Sequence, residues 1–255
     1  MAIIPETSKA LASHEINYPD SDGRPVAETP VHRDNLLVSV QLLQSWFAHD
    51  PMVYVSGNMF IYYERGNRYK SLAPDVFVVL GVPRDKPRRS YKIWEEDGHA
   101  PDMVIEVTSL SSKEEDVDDK FVVYRDLLRV REYFLFDPYA EYLAPSLQGY
   151  RLIDGEYMAI DPSAGRLPSA VVGLHLERSG LDLRFYDPAK RIWVPTRQEL
   201  ERMTERLETR AHDLDERAKR EAERAEIAAS EAERLRIDNE RMRAELEEWR
   251  RKTQP

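Results

Sequence analysis

The chain has 255 residues, enough for one sizeable hydrophobic core, and its 42% hydrophobic composition is that of a globular protein without an apolar run long enough to span a membrane. Cysteine is absent, which excludes disulfides and thiolate metal sites, and with no secretory signal visible this favours a soluble protein in the reducing cytoplasm. The formal net charge of −10, divided as −8 up to residue 195 and −2 after it, argues against a large DNA-coating surface.

The first half of the chain predicts both helix and strand. Residues 33–47 have helical periodicity, and two β-rich runs on either side of Gly57 and Asn58 favour a hairpin. Two apolar strands follow over residues 74–83 and 101–109, each introduced by Pro-Asp.

Between these two strands lies a cluster of five cations in "PRDKPRRSYK", namely Arg84, Lys86, Arg88, Arg89 and Lys92. Such a cluster is either a solvated loop or a loop that contacts phosphate groups, and the sequence leaves both interpretations open.

A helix is predicted after the second strand. Ser111 or Ser112 can cap it, and the acidic residues 114–116 suit its first turn. Its apolar face comprises Val117, Phe121, Tyr124 and Leu128. The chain returns as a strand over residues 131–138, and the order strand, helix, strand favours a mixed sheet with the helix packed on one face.

The chain changes character near Pro195, and from residue 196 to 252 it has no Gly or Pro. Leucines recur every seven residues up to Leu214. After one four-residue spacing, which is a stutter in the heptad pattern, the repeat continues mainly with the smaller residue alanine. The seam residues are Leu200, Leu207, Leu214, Ala218, Ala225, Ala232, Asn239 and Leu246, with Met203, Met242 and Trp249 at a second seam. We predict a charged helical coiled-coil tail over residues 196–255 that forms a homodimer through residues 196–252; the alternative is one solvated helix with many opposite charges.

Three segments follow from this pattern. Residues 1–30 form an N-terminal arm, residues 31–195 one α/β domain, and residues 196–255 the tail. The globular domain is therefore where a chemical site is expected.

Glu106 lies in the middle of an apolar strand, where alternation puts it on one face with Val104 while Met103 and Ile105 lie on the other. A buried carboxylate needs a cation or a metal, so either a structural salt bridge or a metal ligand explains it. Asp75 opens the preceding strand and can bring a second carboxylate close. Two oxygen ligands without cysteine or paired histidine suit Mg²⁺ or Mn²⁺.

Several of these motifs together resemble one family. The segments are "APDVFVV" with Asp75, "PDMVIEVTS" with Glu106, "EDVDDKFVVY" with Lys120 and Tyr124, and "VREYFLFDP". They resemble the Uma-two family of predicted restriction endonucleases, within the PD-(D/E)xK nuclease superfamily. The resemblance implies a restriction-endonuclease-like mixed central sheet flanked by helices, and Mg²⁺-dependent hydrolysis of phosphodiester bonds in a DNA substrate. It implies that Asp75 and Glu106 hold the metal, with the carbonyl of Val107 as a further ligand.

The chain departs from the superfamily pattern at the third catalytic residue. Two positions after Glu106 it has Thr108 where a lysine is usual, and the resemblance assigns the lysine role to Lys120 on the following helix. The alternative is a surface lysine paired with Asp116. The six histidines, His32 included, show no ligand spacing, and we interpret each as a surface residue.

Three functions from different classes are compatible with the sequence. The protein is a Mg²⁺-dependent DNA endonuclease, an inactive nuclease-fold module that binds nucleic acid or protein, or an assembly protein whose coiled coil is the functional part. Convergence of Asp75, Glu106 and Lys120 in the structure is the discriminating observation.

Overall fold

The computed structural model describes residues 16–20, 29–108 and 120–253. The chain divides into two compact units, Met1–Arg197 and Gln198–Pro255. The predicted cap at Ser111 or Ser112, Val117 of the predicted apolar face, and Asp116 lie outside the described residues. These predictions therefore stay predictions.

Helices and strands alternate along the described chain. The helices are α1 (Pro30–Trp46), α2 (Lys120–Val122), which continues as a π-type turn over Val123–Leu127, and α3 (Arg197–Thr253), with a short 3-10 turn at Ile93–Glu95. The strands are β1 (Val53–Ser56), β2 (Ile61–Tyr62), β3 (Ser71–Leu72), β4 (Val76–Leu80), β5 (Tyr91–Lys92), β6 (Met103–Val107), β7 (Glu132–Phe136), β8 (Leu147–Ile153), β9 (Glu156–Ala159), β10 (Leu167–Pro168), β11 (His175–Ser179), β12 (Asp182–Asp187) and β13 (Ile192–Trp193).

The central sheet has six strands in the order β1-β4-β6-β7-β8-β9. The pair β6 and β7 is parallel, and its other neighbouring pairs are antiparallel. A parallel pair needs a crossover connection, and α2 lies in the segment that joins β6 to β7. The predicted mixed α/β sheet is thereby confirmed. Two smaller sheets accompany it, β10-β11-β12-β13 and β3-β2-β5.

The predicted hairpin around Gly57 and Asn58 is wrong. The strands before and after these residues do not pair with each other: β1 pairs with β4, whereas β2 pairs with β3 and β5. Asn58 has a positive φ of 47°, and its N–H donates to the carbonyl of Pro74 at 2.8 Å. The chain therefore leaves the central sheet at this turn and enters the three-stranded sheet. Asn58 hydrogen-bonds to Pro74, so the turn does not close a hairpin between β1 and β2.

The two faces of the central sheet bury different elements. Leu42 and Leu43 of α1 pack on the face that carries Met103 and Ile105, together with the inner residues of the four-stranded sheet. Tyr124, after α2, packs on the opposite face. The predicted alternation along β6 is therefore confirmed, and burial on both sides explains why β6 and β7 are entirely buried.

A buried glutamate joins the central sheet to the four-stranded one. Glu132 of β7 is 1% exposed and accepts hydrogen bonds from the Arg151 guanidinium at 2.8 Å and from the backbone N–H groups of Ala170 at 2.9 Å and Val171 at 3.2 Å. The hydroxyl of Ser169 also donates to it. Donors from the protein thus compensate its charge.

The short segment Ile16–Asp20 lies against the three-stranded sheet. The ring of Tyr18 is 5.0 Å from that of Tyr62 and 5.2 Å from that of Trp94. The hydroxyl of Tyr62 donates to the carbonyl of Pro19 at 2.6 Å, and the Asp20 carboxylate pairs with Arg89 at 2.8 Å. Part of the predicted N-terminal arm is thus bound to the domain by aromatic packing and by charge.

The second unit is a single long helix. Its 57 residues give α3 a length of about 86 Å at about 1.5 Å per residue. Opposite charges four apart pair along it, as in Lys219 with Asp215 and Arg241 with Glu245. The long C-terminal helix is confirmed, whereas its pairing into a coiled coil stays a prediction. Across the ranges 16–20, 29–108 and 120–253, no helix is both long and apolar enough to cross a lipid bilayer.

Candidate active site

Asp75 is held where β4 begins by backbone contacts from two directions. Its Oδ2 accepts a hydrogen bond from the backbone N–H of Val107 at 2.8 Å. A Cβ added to Gly57 would lie 2.1 Å from the Asp75 carbonyl oxygen, so only glycine permits this approach. The turn at Gly57 therefore helps to fix the position of Asp75.

Glu106 is fully buried in β6 and lies beside Asp75. Its Oε1 accepts a hydrogen bond from the Tyr124 hydroxyl at 2.6 Å and lies 3.2 Å from the Lys120 ammonium. Its Oε2 accepts from the backbone N–H of Asp75 at 3.3 Å. The antiparallel pairing of β4 with β6 thus brings Asp75 and Glu106 into contact: the Glu106 carboxylate reaches the backbone of Asp75, and the Asp75 carboxylate reaches the backbone of Val107.

Lys120 and Tyr124 reach Glu106 from the segment that follows β6. Lys120 begins α2 with its side chain 17% exposed, and Tyr124 lies in the π-type turn with no exposed surface. The sequence placed Tyr124 on the apolar face of a helix, and its ring does pack there, but its hydroxyl also contacts the carboxylate. Single π-type turns are frequent at functional sites, because they move one side chain out of the regular helical position.

His32 belongs to this site, and its interpretation as a surface residue is wrong. Its side chain is 14% exposed, and its Nε2 lies 3.1 Å from Oδ1 of Asp75. It sits in the first turn of α1, where the Thr29 side chain accepts a hydrogen bond from its backbone N–H. The helix start was readable from Thr29 and Pro30, but proximity to a residue 43 positions away leaves no local signal.

Most cations of the cluster over residues 84–92 form ion pairs with carboxylates of the protein. The Arg88 side chain is 2% exposed, contacts Glu96 through two nitrogens at 2.8 and 2.9 Å, and stacks 4.2 Å from the Tyr54 ring centroid. Burial alone would raise the pKa of the Glu96 carboxyl, but hydrogen bonds from Arg88 and Lys86 hold that pKa below its usual range. The solvated-loop and phosphate-loop interpretations therefore both miss the role of Arg88, which is a buried ion pair.

The donor set at Asp75 and Glu106 fits an ion that prefers oxygen ligands. Two carboxylates on neighbouring strands are the hard ligands that Mg²⁺ and Mn²⁺ take, and no thiolate is available in the chain. Among the residues that the structure describes, no group of three or more His, Asp or Glu side chains is arranged to hold a metal ion. For Val107, the contact in the structure is its N–H group, which fixes Asp75.

Comparisons with known proteins identify the family of this chain. A solved structure with a similar chain trace is a "putative nuclease belonging to DUF820" from Anabaena variabilis ATCC 29413; it is 18% identical, the alignment covers 60% of this chain and 81% of that one, and the TM-score is 0.44. No match was found among curated proteins. The model of the Uma2 family, described as "Putative restriction endonuclease", matches residues 5–184. Because this match spans more than two thirds of the sequence and includes Asp75, Glu106 and Lys120, the chain belongs to the Uma2 family, as its motifs predicted.

Proposed function

We propose that this protein is a Mg²⁺-dependent endonuclease that hydrolyses phosphodiester bonds in DNA. The observation that carries the proposal is the convergence of Asp75, Glu106 and Lys120 in a member of a restriction endonuclease family. Asp75 and Lys120 come from two separate segments, and both contact the Glu106 carboxylate in the central sheet, Asp75 through its backbone N–H and Lys120 through its ammonium.

Asp75 and Glu106 would hold the metal, with the carbonyl of Val107 as a further oxygen ligand. When bound, Mg²⁺ or Mn²⁺ neutralises charge on the scissile phosphate and lowers the pKa of a bound water. The protein then has to hold these two carboxylates in position. The Val107 N–H and His32 orient the two oxygens of Asp75, and Tyr124 orients Glu106.

Lys120 supplies positive charge without being a metal ligand. Its ammonium lies 3.2 Å from Oε1 of Glu106, and it retains partial solvent exposure. From that position it can orient a water molecule or stabilise negative charge that develops on the phosphate. Lys120 of α2 would thus take the role of the lysine that is usual two residues after Glu106, where this chain has Thr108.

The test is incubation of the purified protein with supercoiled plasmid and with single-stranded DNA in Mg²⁺, Mn²⁺ or EDTA. Cleavage in either metal, abolished by EDTA and by Asp75→Asn, is expected. Cleavage that persists in Asp75→Asn would point to a contaminating nuclease and remove the support for this site.

A second function is favoured by two observations at Glu106 and around it. Donors from the protein already contact both oxygens of Glu106, and the described part of the chain holds no ready-made group of three ligands. These contacts fit a nuclease fold that binds nucleic acid or protein without cutting. DNA binding with no cleavage in any of the metals above would favour this alternative.

We propose further that the protein forms a homodimer through residues 196–252. Apolar side chains on α3 are exposed in the single chain, including Leu207 at 65%, Leu214 at 57% and Trp249 at 66%. A stripe of exposed apolar residues on a long helix is most simply covered by a second copy. Light scattering at micromolar concentration should give twice the monomer mass for the full chain, and the monomer mass after removal of the helix.

A further inference from the structure

The loop between β2 and β3 carries an exposed group of cations. We call residues 64–70, "ERGNRYK", the basic hairpin, because β2 and β3 pair in antiparallel fashion at its base. Arg65, Arg68 and Lys70 are exposed, and Tyr69 is 83% exposed with the Arg68 guanidinium 5.6 Å from its ring centroid. Three cations and one acid give this loop a local charge of +2, in a chain whose net charge is −10.

Within residues 16–20, 29–108 and 120–253, the cations of the basic hairpin form no ion pair. In the residues described, no carboxylate lies within 4.0 Å of the charged groups of Arg65, Arg68 or Lys70. The contrast is the cluster at residues 84–92, where Lys86 and Arg88 both contact Glu96. A solvated position explains one such cation, but three within six residues around an exposed tyrosine form a surface suited to an anionic partner.

The backbone of the basic hairpin is held in one shape by its own contacts. The hydroxyl of Tyr18 accepts a hydrogen bond from the Gly66 N–H at 2.7 Å. The Asn67 side chain accepts from the Tyr69 N–H at 3.1 Å, and the Tyr63 N–H donates to the Lys70 carbonyl at 3.2 Å. Binding would therefore require ordering of side chains but not of the loop itself, which reduces its entropic cost.

The segments that flank β2 and β3 lie next to Asp75. Before β2, the Asn58 N–H donates to the carbonyl of Pro74, and after β3 only two residues separate Leu72 from Asp75. Lys70 is five residues before Asp75, so the two lie within about 17 Å of each other at about 3.3 Å per residue. Along a duplex this distance corresponds to about five base pairs, since the rise is about 3.4 Å per pair.

We propose that the basic hairpin is a DNA-binding element, in which Arg65, Arg68 and Lys70 contact the phosphate backbone close to the bond that is cut. The inference rests on the proposed nuclease function and adds the surface by which the substrate is held. An acidic protein repels DNA over most of its surface, so we expect phosphate contacts near Asp75 from a local group of cations such as Arg65, Arg68 and Lys70. Phosphate contacts carry no sequence information, so this element binds any sequence.

The experiment compares wild-type protein with the triple variant Arg65→Ala/Arg68→Ala/Lys70→Ala. Binding to a fluorescent DNA duplex is followed by anisotropy in EDTA, which prevents hydrolysis, at several salt concentrations. Each phosphate contact contributes about 0.9 to the slope of log K against log salt, so the triple variant should lower the slope by about 2.7 and weaken binding about 500-fold at about 0.1 M salt. Lys70→Ala alone should lower the slope by about 0.9.

A matched control separates a local site from a general effect of charge. Arg202→Ala/Arg206→Ala/Arg210→Ala removes three exposed cations from α3 and changes the net charge equally. Its affinity should stay within about threefold of wild type, a difference well below the effect of one phosphate contact. Circular dichroism and thermal unfolding should be unchanged in the hairpin variant, because its three side chains are exposed. Light scattering should show that the control variant keeps the wild-type mass, since α3 is the proposed dimer interface.

Three results would overturn the inference. The first is a hairpin variant that binds DNA with the wild-type affinity and slope, and the second is an equal loss in the control variant. The third is loss of binding to phosphatidylserine vesicles without loss of DNA binding, which would make the partner a membrane surface. If the hairpin variant binds normally while wild-type protein cleaves plasmid, this inference fails and the nuclease function stands; if wild-type protein neither binds nor cleaves DNA, both fail.

Discussion

Replacing Glu106 with glutamine separates a metal-holding carboxylate from a structural one. Glutamine keeps the shape of the side chain, and its carbonyl oxygen can still accept from the Tyr124 hydroxyl and face Lys120. The amide nitrogen then faces the backbone N–H of Asp75, which is the longest of these contacts at 3.3 Å. The substitution thus removes a charge while it preserves the shortest hydrogen bond, at 2.6 Å.

The expected stability change is small because two effects oppose each other. Loss of an acceptor for the Asp75 N–H and of the ion pair with Lys120 costs stability, at about 1.5–3 kcal/mol for a hydrogen bond to a charged group. Removal of a fully buried charge recovers desolvation energy, and Lys120 keeps access to water at 17% exposure. We expect the free energy of unfolding to stay within about 1.5 kcal/mol of wild type, or about 5 °C in Tm.

Catalysis should respond far more strongly. Loss of one metal-holding oxygen should lower kcat/KM at least about 100-fold, equivalent to about 2.7 kcal/mol of transition-state stabilisation. The assay is cleavage of labelled DNA under single-turnover conditions, with Mn²⁺ binding measured in parallel by electron paramagnetic resonance.

Glu132→Gln is the matched control. Glu132 is a buried strand glutamate on the neighbouring strand, but every contact described for it is with a protein donor between the two sheets. Its loss should cost about 3 kcal/mol of stability, since it unpairs Arg151, and leave the Mn²⁺ affinity of the folded protein unchanged. If Glu106→Gln instead unfolds the protein, or cleaves DNA within tenfold of wild type, Glu106 is half of a buried salt bridge and the metal assignment is wrong.

Three further predictions follow from named contacts. Lys120→Met should slow the single-turnover cleavage rate about 100-fold while Mn²⁺ affinity changes little, because the lysine acts on water or phosphate and not on the metal; a parallel loss of metal affinity would contradict this role. Gly57→Ala should destabilise the protein by about 1–3 kcal/mol in urea unfolding and reduce cleavage, because its Cβ would displace the Asp75 carbonyl; wild-type activity would show that Asp75 needs no such support. The Glu96 carboxyl has a pKa below its ordinary value of 4.5 in the folded protein, so its pair with Arg88 contributes stability that is fully present above that value and is lost as the pH falls through the lowered pKa; Glu96→Gln should be destabilised at pH 7 and approach wild type as the pH falls in urea unfolding, and a difference that does not shrink with falling pH would refute the linkage.

Sequence patterns were sufficient for the elements whose signal is local. The alternation through Met103, Val104, Ile105 and Glu106 predicted which residues lie on each face of β6. The strand is apolar except for Glu106, so the sequence also marked this residue as one whose burial needs a partner. The four-residue spacing of Lys120 and Tyr124 predicted that both lie toward one side of a helix. The π-type turn at Tyr124 had no visible signal, since its residues are ordinary helix formers.

Long-range proximity accounts for what the sequence did not predict. Gly57 and Asn58 match the preferences of a two-residue hairpin turn, yet their partners are Pro74 and Asp75, and no local rule contains that information. His32 was missed for the same reason, because only the packing of α1 against the sheet brings it to Asp75. In each case the deciding contact joins residues at least sixteen positions apart.

The contacts of the Ile16–Asp20 segment have a practical consequence for anyone preparing shortened forms of the protein. Cutting the chain just before α1 removes the phenol that accepts from Gly66, the carboxylate opposite Arg89, and the aromatic cover over Tyr62 and Trp94. Tyr62 is 2% exposed in the full chain, so the truncation would expose its ring to solvent and allow it to associate with other molecules. A truncated protein that aggregates or binds DNA poorly would then report on the missing segment, and its behaviour would say little about the chemistry at Glu106.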